Sequence, residues 1–250
     1  MTTSLLNSLL RALLRWGAAL VFCLPLRHRP YFWARACGML LPLLLLAQLL
    51  DPLAQSTTLC QQQLLLLALY VSFFALLGGM IYLCTDINKK GALYCAVWSL
   101  LIAQCAYESW CFLELQFTRY GHPLNMASPW AVLVQLLSGA VFFAAVYILL
   151  ARQLPYKGDY HIGPRQLFSA FFIGILFMVQ AAVLDNARAE HTPLSLTVTI
   201  LIGQFYFITL LYFQSELFKK SAMEKEMNEL NLLYELSLIH ISEPTRPISI

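Results

Sequence analysis

Charge is scarce in this chain. Asp, Glu, Lys and Arg make up 12% of its 250 residues, about half the share usual in a soluble domain. Disorder is thereby excluded, because a disordered chain combines many charges with little hydrophobicity. The net charge of +3 is too small to mark a nucleic-acid-binding protein. Catalytic signatures are missing as well. There is no Gly-rich phosphate loop, no His-Glu-x-x-His and no Gly-x-Ser-x-Gly, so the common soluble nucleotide, metalloprotease and hydrolase chemistries have no foothold. The seven cysteines, at 23, 37, 60, 84, 95, 105 and 111, form no Cys-x-x-Cys pair and do not cluster with His. That argues against a zinc site or a disulfide framework, and they read as small apolar side chains inside helices. The opening Met1-Thr-Thr-Ser has no basic residue, and Arg11 and Arg15 interrupt the first apolar stretch, unlike a secretory signal peptide.

What the chain has is oil. Hydrophobic residues account for 60% of it, gathered in seven stretches. They run over Leu5–Leu26, Tyr31–Leu50, Leu64–Cys84, Gly91–Phe112, Trp130–Leu150, Leu167–Leu184 and Leu194–Phe213. Each is long enough to cross a bilayer as a helix rising about 1.5 Å per residue. They are too long and too continuously apolar for strands, and a helix satisfies its own backbone groups in hydrocarbon. The predicted fold is therefore an all-α membrane protein with about seven transmembrane helices. Pro25 and Pro42 are expected to kink the first two stretches.

Basic residues predict its orientation. Arg27, Arg29, Arg35, Lys89, Lys90, Arg152, Lys157, Arg165, Lys219 and Lys220 fall in one set of connections, and only Arg119 and Arg188 in the other. The positive-inside rule places the N-terminus outside and the C-terminus in the cytoplasm, an arrangement that needs an odd number of crossings. The first stretch has a second reading. Arg11 and Arg15 lie four residues apart and share a helix face, a pattern that also suits a helix lying in the membrane interface.

Polar residues at membrane depth are the candidates for function. Gln104, Glu108 and Cys111 are spaced to share a face of the fourth helix. An ionised carboxylate there needs a partner. Arg11, about 9 Å from the start of its helix, and Arg15 lie at compatible depth, and Asp185 at the end of the sixth helix is placed to join them. Two readings stand side by side: an outward-facing ligand pocket, or a polar clamp between helices. Gln48, Gln135, Gln180 and Gln204, scattered over different helices, are expected to hydrogen-bond between helices. Asp86 and Asn88 in the short Asp86-Ile-Asn-Lys-Lys connection are expected to cap a turn or the next helix. No metal site is expected.

After Phe213 the chain becomes charged and helix-favouring. Met223, Met227, Leu230 and Tyr234 are spaced four, three and four apart, the seam of a coiled-coil-like helix. Glu216–Lys220, Lys220–Glu224 and Lys225–Glu229 are supporting i,i+4 pairs. A solvated helical extension is the alternative, because about two heptads are few. Beyond Leu236, Pro244 and Pro247 end the pattern. Residues 237–250 read as translated adapter-type sequence and not as native chain, so His240 is not taken as a functional histidine.

Two stretches carry a resemblance. Cys84-Thr-Asp-Ile-Asn-Lys-Lys-Gly-Ala-Leu-Tyr-Cys-Ala-Val-Trp-Ser-Leu-Leu-Ile-Ala-Gln-Cys-Ala-Tyr-Glu and Phe218-Lys-Lys-Ser-Ala-Met-Glu-Lys-Glu-Met-Asn-Glu-Leu-Asn-Leu-Leu-Tyr-Glu make residues 1–236 similar to the membrane sensor region of GHKL-type, AgrC-like sensor histidine kinases. The resemblance implies a polytopic membrane sensor domain over 1–213 and the start of a cytoplasmic signalling and dimerisation helix over 214–236. It implies a bacterial cell membrane, a homodimer surrounded by lipid, and a peptide or other extracellular or membrane-dissolved signal. It also implies a response regulator reached through a kinase core, and ATP and Mg used in that core alone. The phosphoacceptor and ATP-binding boxes are absent from these residues, so this chain itself carries no catalytic residue and no cofactor. The competing expectation is a small multipass transporter, since intramembrane Arg, Glu and Gln can line a pathway. It lacks an inverted repeat and a pair of Gly/Pro-broken helices.

Overall fold

The computed structural model describes residues 2–49, 59–119, 129–152, 162–188 and 194–242, and all the regular structure among them is helical. The helices are α1 (Thr2–Cys23), α2 (Phe32–Gly38), α3 (Leu40–Gln48), α4 (Leu59–Cys84), α5 (Lys89–Arg119), α6 (Pro129–Val146), α7 (Pro164–Arg188) and α8 (Leu194–Ser242). A π-helical turn, Tyr147–Ala151, closes α6. The chain divides into two compact units, Met1–Leu211 and Tyr212–Ile250.

Four helical stretches among the described residues are long and apolar enough to cross a bilayer: Leu64–Cys84, Lys89–Arg119, Trp130–Ala151 and Val198–Ser237. Phe32–Gln48 and Pro164–Gln180 are apolar but shorter. The second apolar stretch is interrupted. Tyr31–Leu50 holds two helices that meet at Met39. Pro42 is the physical reason. It has no N–H to give to the Gly38 carbonyl four residues back, and the next bond, Leu43 N–H to Met39 O, is long at 3.4 Å. Tyr31, just before α2, adopts the left-handed region at φ 60°, which turns the chain sharply out of the first connection.

In the first unit α5 is the central helix. It packs against α1, α4, α6 and α7. Its residues from Tyr94 to Ala106 are buried without interruption, as befits a helix apolar on every face. Trp98 is fully buried there and lies against Phe22 of α1, ring centroids 6.1 Å apart. Gly78 of α4 lets Ala96 and Leu93 of α5 approach closely. Phe177 of α7 meets Phe207 of α8 edge-on at 6.0 Å. The outer faces of α6 and α7 keep large apolar residues exposed, among them Leu133, Leu137, Val141, Phe168 and Phe172. Apolar surface of that extent suits lipid and not water.

Two connections are tied together at one end of this unit. Arg29 N–H donates to Cys84 O at 3.0 Å and Asp86 N–H to Arg27 O at 2.9 Å, around an isolated bridge between His28 and Thr85. The Arg29 guanidinium pairs with Asp86 at 3.6 Å and lies 5.0 Å from the Tyr82 ring centroid. Arg35 donates to Leu83 O at 2.8 Å. Asp86 thus joins one connection to another, a role that local spacing does not reveal.

The second unit is helical through Ser242. Met223, Met227, Leu230 and Tyr234 are all exposed, and so are Leu232 and Leu233 on other faces of the same helix.

Candidate functional site

The helix register of α5 sets the site. Gln104 and Glu108 are one turn apart, and the Gln104 Nε2–H donates to Glu108 Oε1 at 2.9 Å. Both are buried, Glu108 to within 2% of its exposure. Across from them, α1 presents Arg11 and Arg15, again one turn apart. Arg11, Arg15 and Gln104 line one cavity with Leu14, Tyr70, Ala103 and Tyr107. Four of the five sequence candidates are therefore gathered in a single cluster, three on the cavity wall and Glu108 through its bond to Gln104. Asp185 belongs to α7, and its side chain lies outside the described residues.

The two arginines are held differently. Arg11 donates to the Tyr107 hydroxyl at 2.8 Å, and its guanidinium carbon lies 4.8 Å from the same ring's centroid. Arg15 is only 6% exposed. Its guanidinium carbon sits 4.0 Å from the centroid of Phe73 on α4, and it reaches the Arg11 carbonyl at 3.5 Å, near the limit for a useful hydrogen bond. Burying an ion costs several kcal/mol before compensation. An aromatic face returns up to about 2 kcal/mol when the cation is desolvated. Arg15 and Glu108 bring opposite charges to this interface, and further interactions engage both.

The cavity is small, about 10 Å³. That is at the lower bound for one water molecule. In this arrangement the cluster is a packed polar clamp between α1, α4 and α5, with no room for an organic ligand among the charges. No group of three or more His, Cys, Asp and Glu among the described residues is placed to hold a metal ion. Cys23, Cys37, Cys84 and Cys105 are free thiols.

Sequence reasoning missed Tyr107 and Phe73, the residues that receive the two arginines. Tyr107 carried a signal: it lies three residues after Gln104 and four before Cys111, on the candidate face itself. Phe73 carried none, being one aromatic among many in an apolar helix. The expected interhelical bonds are not seen for several of the scattered glutamine amide atoms among the described residues. Gln135 Oε1, Gln180 Oε1 and both amide atoms of Gln204 are buried with no hydrogen-bond partner. Gln180 instead packs its amide on Gly203.

Comparison of the chain with protein-family models, with curated proteins and with solved structures gives no match.

Proposed function

We propose that this chain is the membrane-embedded input region of a two-component sensor histidine kinase of the GHKL type, coupling an external signal to a cytoplasmic kinase core that is not among its residues. In this reading the seven apolar stretches are seven crossings of a bacterial cell membrane, with the N-terminus outside and the C-terminus in the cytoplasm. Residues 1–213 sense, and residues 214–236 pair with a second copy and carry the change onward.

The observation that carries the reading is the exposed seam Met223, Met227, Leu230 and Tyr234 on a charged helix whose sequence follows a membrane-length apolar stretch. An apolar seam left in water on a helix of this composition finds its match in a second identical helix. The clamp of Arg11, Arg15, Gln104 and Glu108 supports the reading in a second way. Polar groups at this depth have few alternative partners, so a signal that favours one packing of α1 on α5 has a discrete state to bias.

The test has two arms. Cysteine at position 227 (Met227→Cys) is expected to cross-link two copies in bacterial membranes, and Leu230→Lys to abolish the cross-link. In the parent gene, the frame after Glu235 is expected to encode a phosphoacceptor histidine box followed by ATP-binding boxes. A different downstream module, or tags reporting both termini on the same side of the membrane, overturns the proposal.

A further inference from the structure

A second cavity lies beside the clamp. It is a groove between α1 and α6 of about 220 Å³, lined by Leu10, Leu14, Gly17, Gln135, Gly139 and Phe143 among others. We propose that this groove binds a small bilayer-dissolved molecule, an apolar ring system of about nine non-hydrogen atoms that carries one N–H or O–H donor, as indoles and substituted phenols do.

Size is the first argument. An apolar cavity of about 150 Å³ holds benzene, so 220 Å³ scales to about nine heavy atoms, a substituted single ring or a fused pair. Shape follows from the two glycines. A Cβ on Gly17 would come within 2.9 Å of the Phe143 ring, and one on Gly139 within 3.3 Å of Leu14. Their bare backbones therefore let α1 and α6 approach each other around the groove.

Polarity is the second and independent argument. Two polar side chains reach the wall. Trp16 is already committed, because its Nε1–H donates to Ala36 O at 2.7 Å. Gln135 is 4% exposed, and its Oε1 has no hydrogen-bond partner among the described residues. A buried amide oxygen without a donor is uncommon in a folded protein. The terminal amide torsion is soft, so this oxygen turns readily to a donor placed in the groove. One acceptor in an otherwise apolar lining selects a ligand that is apolar save for one donor.

Access is the third. Leu136 and Ala140 line the groove and are exposed, so it opens sideways on the outer surface of the helices. Gln135 and Gly139 fall well inside the membrane-length stretch Trp130–Ala151. The entering molecule therefore comes from the bilayer. Leu14 borders both this groove and the arginine cavity, which places any occupant one side chain away from the clamp.

The site stands on the packing of α1 against the membrane-length α6 and not on the sensory reading, so the two fail separately. The test uses the full chain in lipid nanodiscs with 5-fluoroindole as the probe, followed by fluorine NMR against empty nanodiscs. 1-Fluoronaphthalene, of similar size and without a donor, is the comparison. The expected result is saturable binding of about one fluoroindole per chain. Gln135→Leu is expected to weaken fluoroindole about fivefold, the worth of one hydrogen bond, and to leave fluoronaphthalene unchanged. This variant removes an unsatisfied buried amide and keeps its volume, so it folds at least as well as the parent. Ala140→Phe is expected to abolish binding of both probes. No saturable component beyond empty nanodiscs, as when a lipid acyl chain holds the groove, overturns the proposal. So does binding that survives Ala140→Phe, or equal affinity of Gln135→Leu for fluoroindole.

Discussion

The Tyr107 hydroxyl on α5 accepts a hydrogen bond from Arg11 on α1 at 2.8 Å, across 96 residues of sequence. The same ring lies 4.8 Å from the guanidinium carbon. One side chain thus engages the arginine twice, through its hydroxyl and through its π-face. Tyr107→Phe separates the two. It keeps the ring and removes the acceptor, and the expected loss is about 1.5 kcal/mol, at the low end for a charged hydrogen bond because the pair is only partly buried. Tyr107→Leu removes both contacts and is expected to lose about 1 kcal/mol more. A double-mutant cycle with Arg11→Met, read by thermal unfolding in detergent, checks the assignment. Additive effects of the two changes would sink it.

Gln104 is expected to matter through Glu108. Its Nε2 donates to the buried carboxylate at 2.9 Å. Gln104→Leu leaves the Glu108 oxygen short of one donor and is expected to destabilise the fold by about 2 kcal/mol. Gln104→Glu places a second carboxylate one turn away in the same interior and is expected to cost more at neutral pH. Unfolding curves of the two variants that rank them in the opposite order would contradict this account.

Asp86 gives a contrast between side chain and backbone. Its carboxylate is largely exposed and sits 3.6 Å from Arg29, so Asp86→Asn is expected to cost less than about 1 kcal/mol, and less still at high salt, which screens an exposed pair. Its N–H, by contrast, donates to Arg27 O at 2.9 Å and ties the two connections together. Asp86→Pro removes that donor and is expected to be the more damaging change. Limited proteolysis between Leu26 and Tyr31 measures it, with faster cleavage expected for the proline variant alone.

Two glycines should respond oppositely to a methyl group. At Gly17 the added Cβ meets the Phe143 ring at 2.9 Å. That ring is rigid and can shift only as a whole, so Gly17→Ala is expected to cost about 1–3 kcal/mol by overpacking and to be relieved by Phe143→Leu. At Gly203 the Cβ comes nearer still, 2.6 Å from Gln180 Nε2. That atom is the tip of a flexible side chain, and Gly203→Ala is expected to cost less than about 1 kcal/mol. Melting temperatures of the three variants decide between clash distance and neighbour stiffness as the controlling quantity.

Composition and run length made much of this architecture legible. Long apolar runs with few charges demand helices whatever else they touch, and the helices α1, α4, α6 and α7 follow the expected stretches to within a few residues at each end. The shared face of Gln104 and Glu108 was legible too, because one-turn spacing is a property of the helix itself. The break at Met39 was half visible. Pro42 announced a disturbance, and only the structure turned the expected kink into two helices.

Contacts between distant helices were not legible, and the reason is physical. A helix apolar on all faces carries no stripe to say which face meets which neighbour. Nothing in the residues of α5 marks it as the helix at the centre, against α1, α4, α6 and α7. Nothing marks Phe73 as the cushion for Arg15, or the space between α1 and α6 as hollow. Hydrophobic length and local spacing belong to one segment at a time, so they can be read along the chain. Partners, enclosed volume and the orphaned Gln135 oxygen arise only when close packing forces separate segments to share one space.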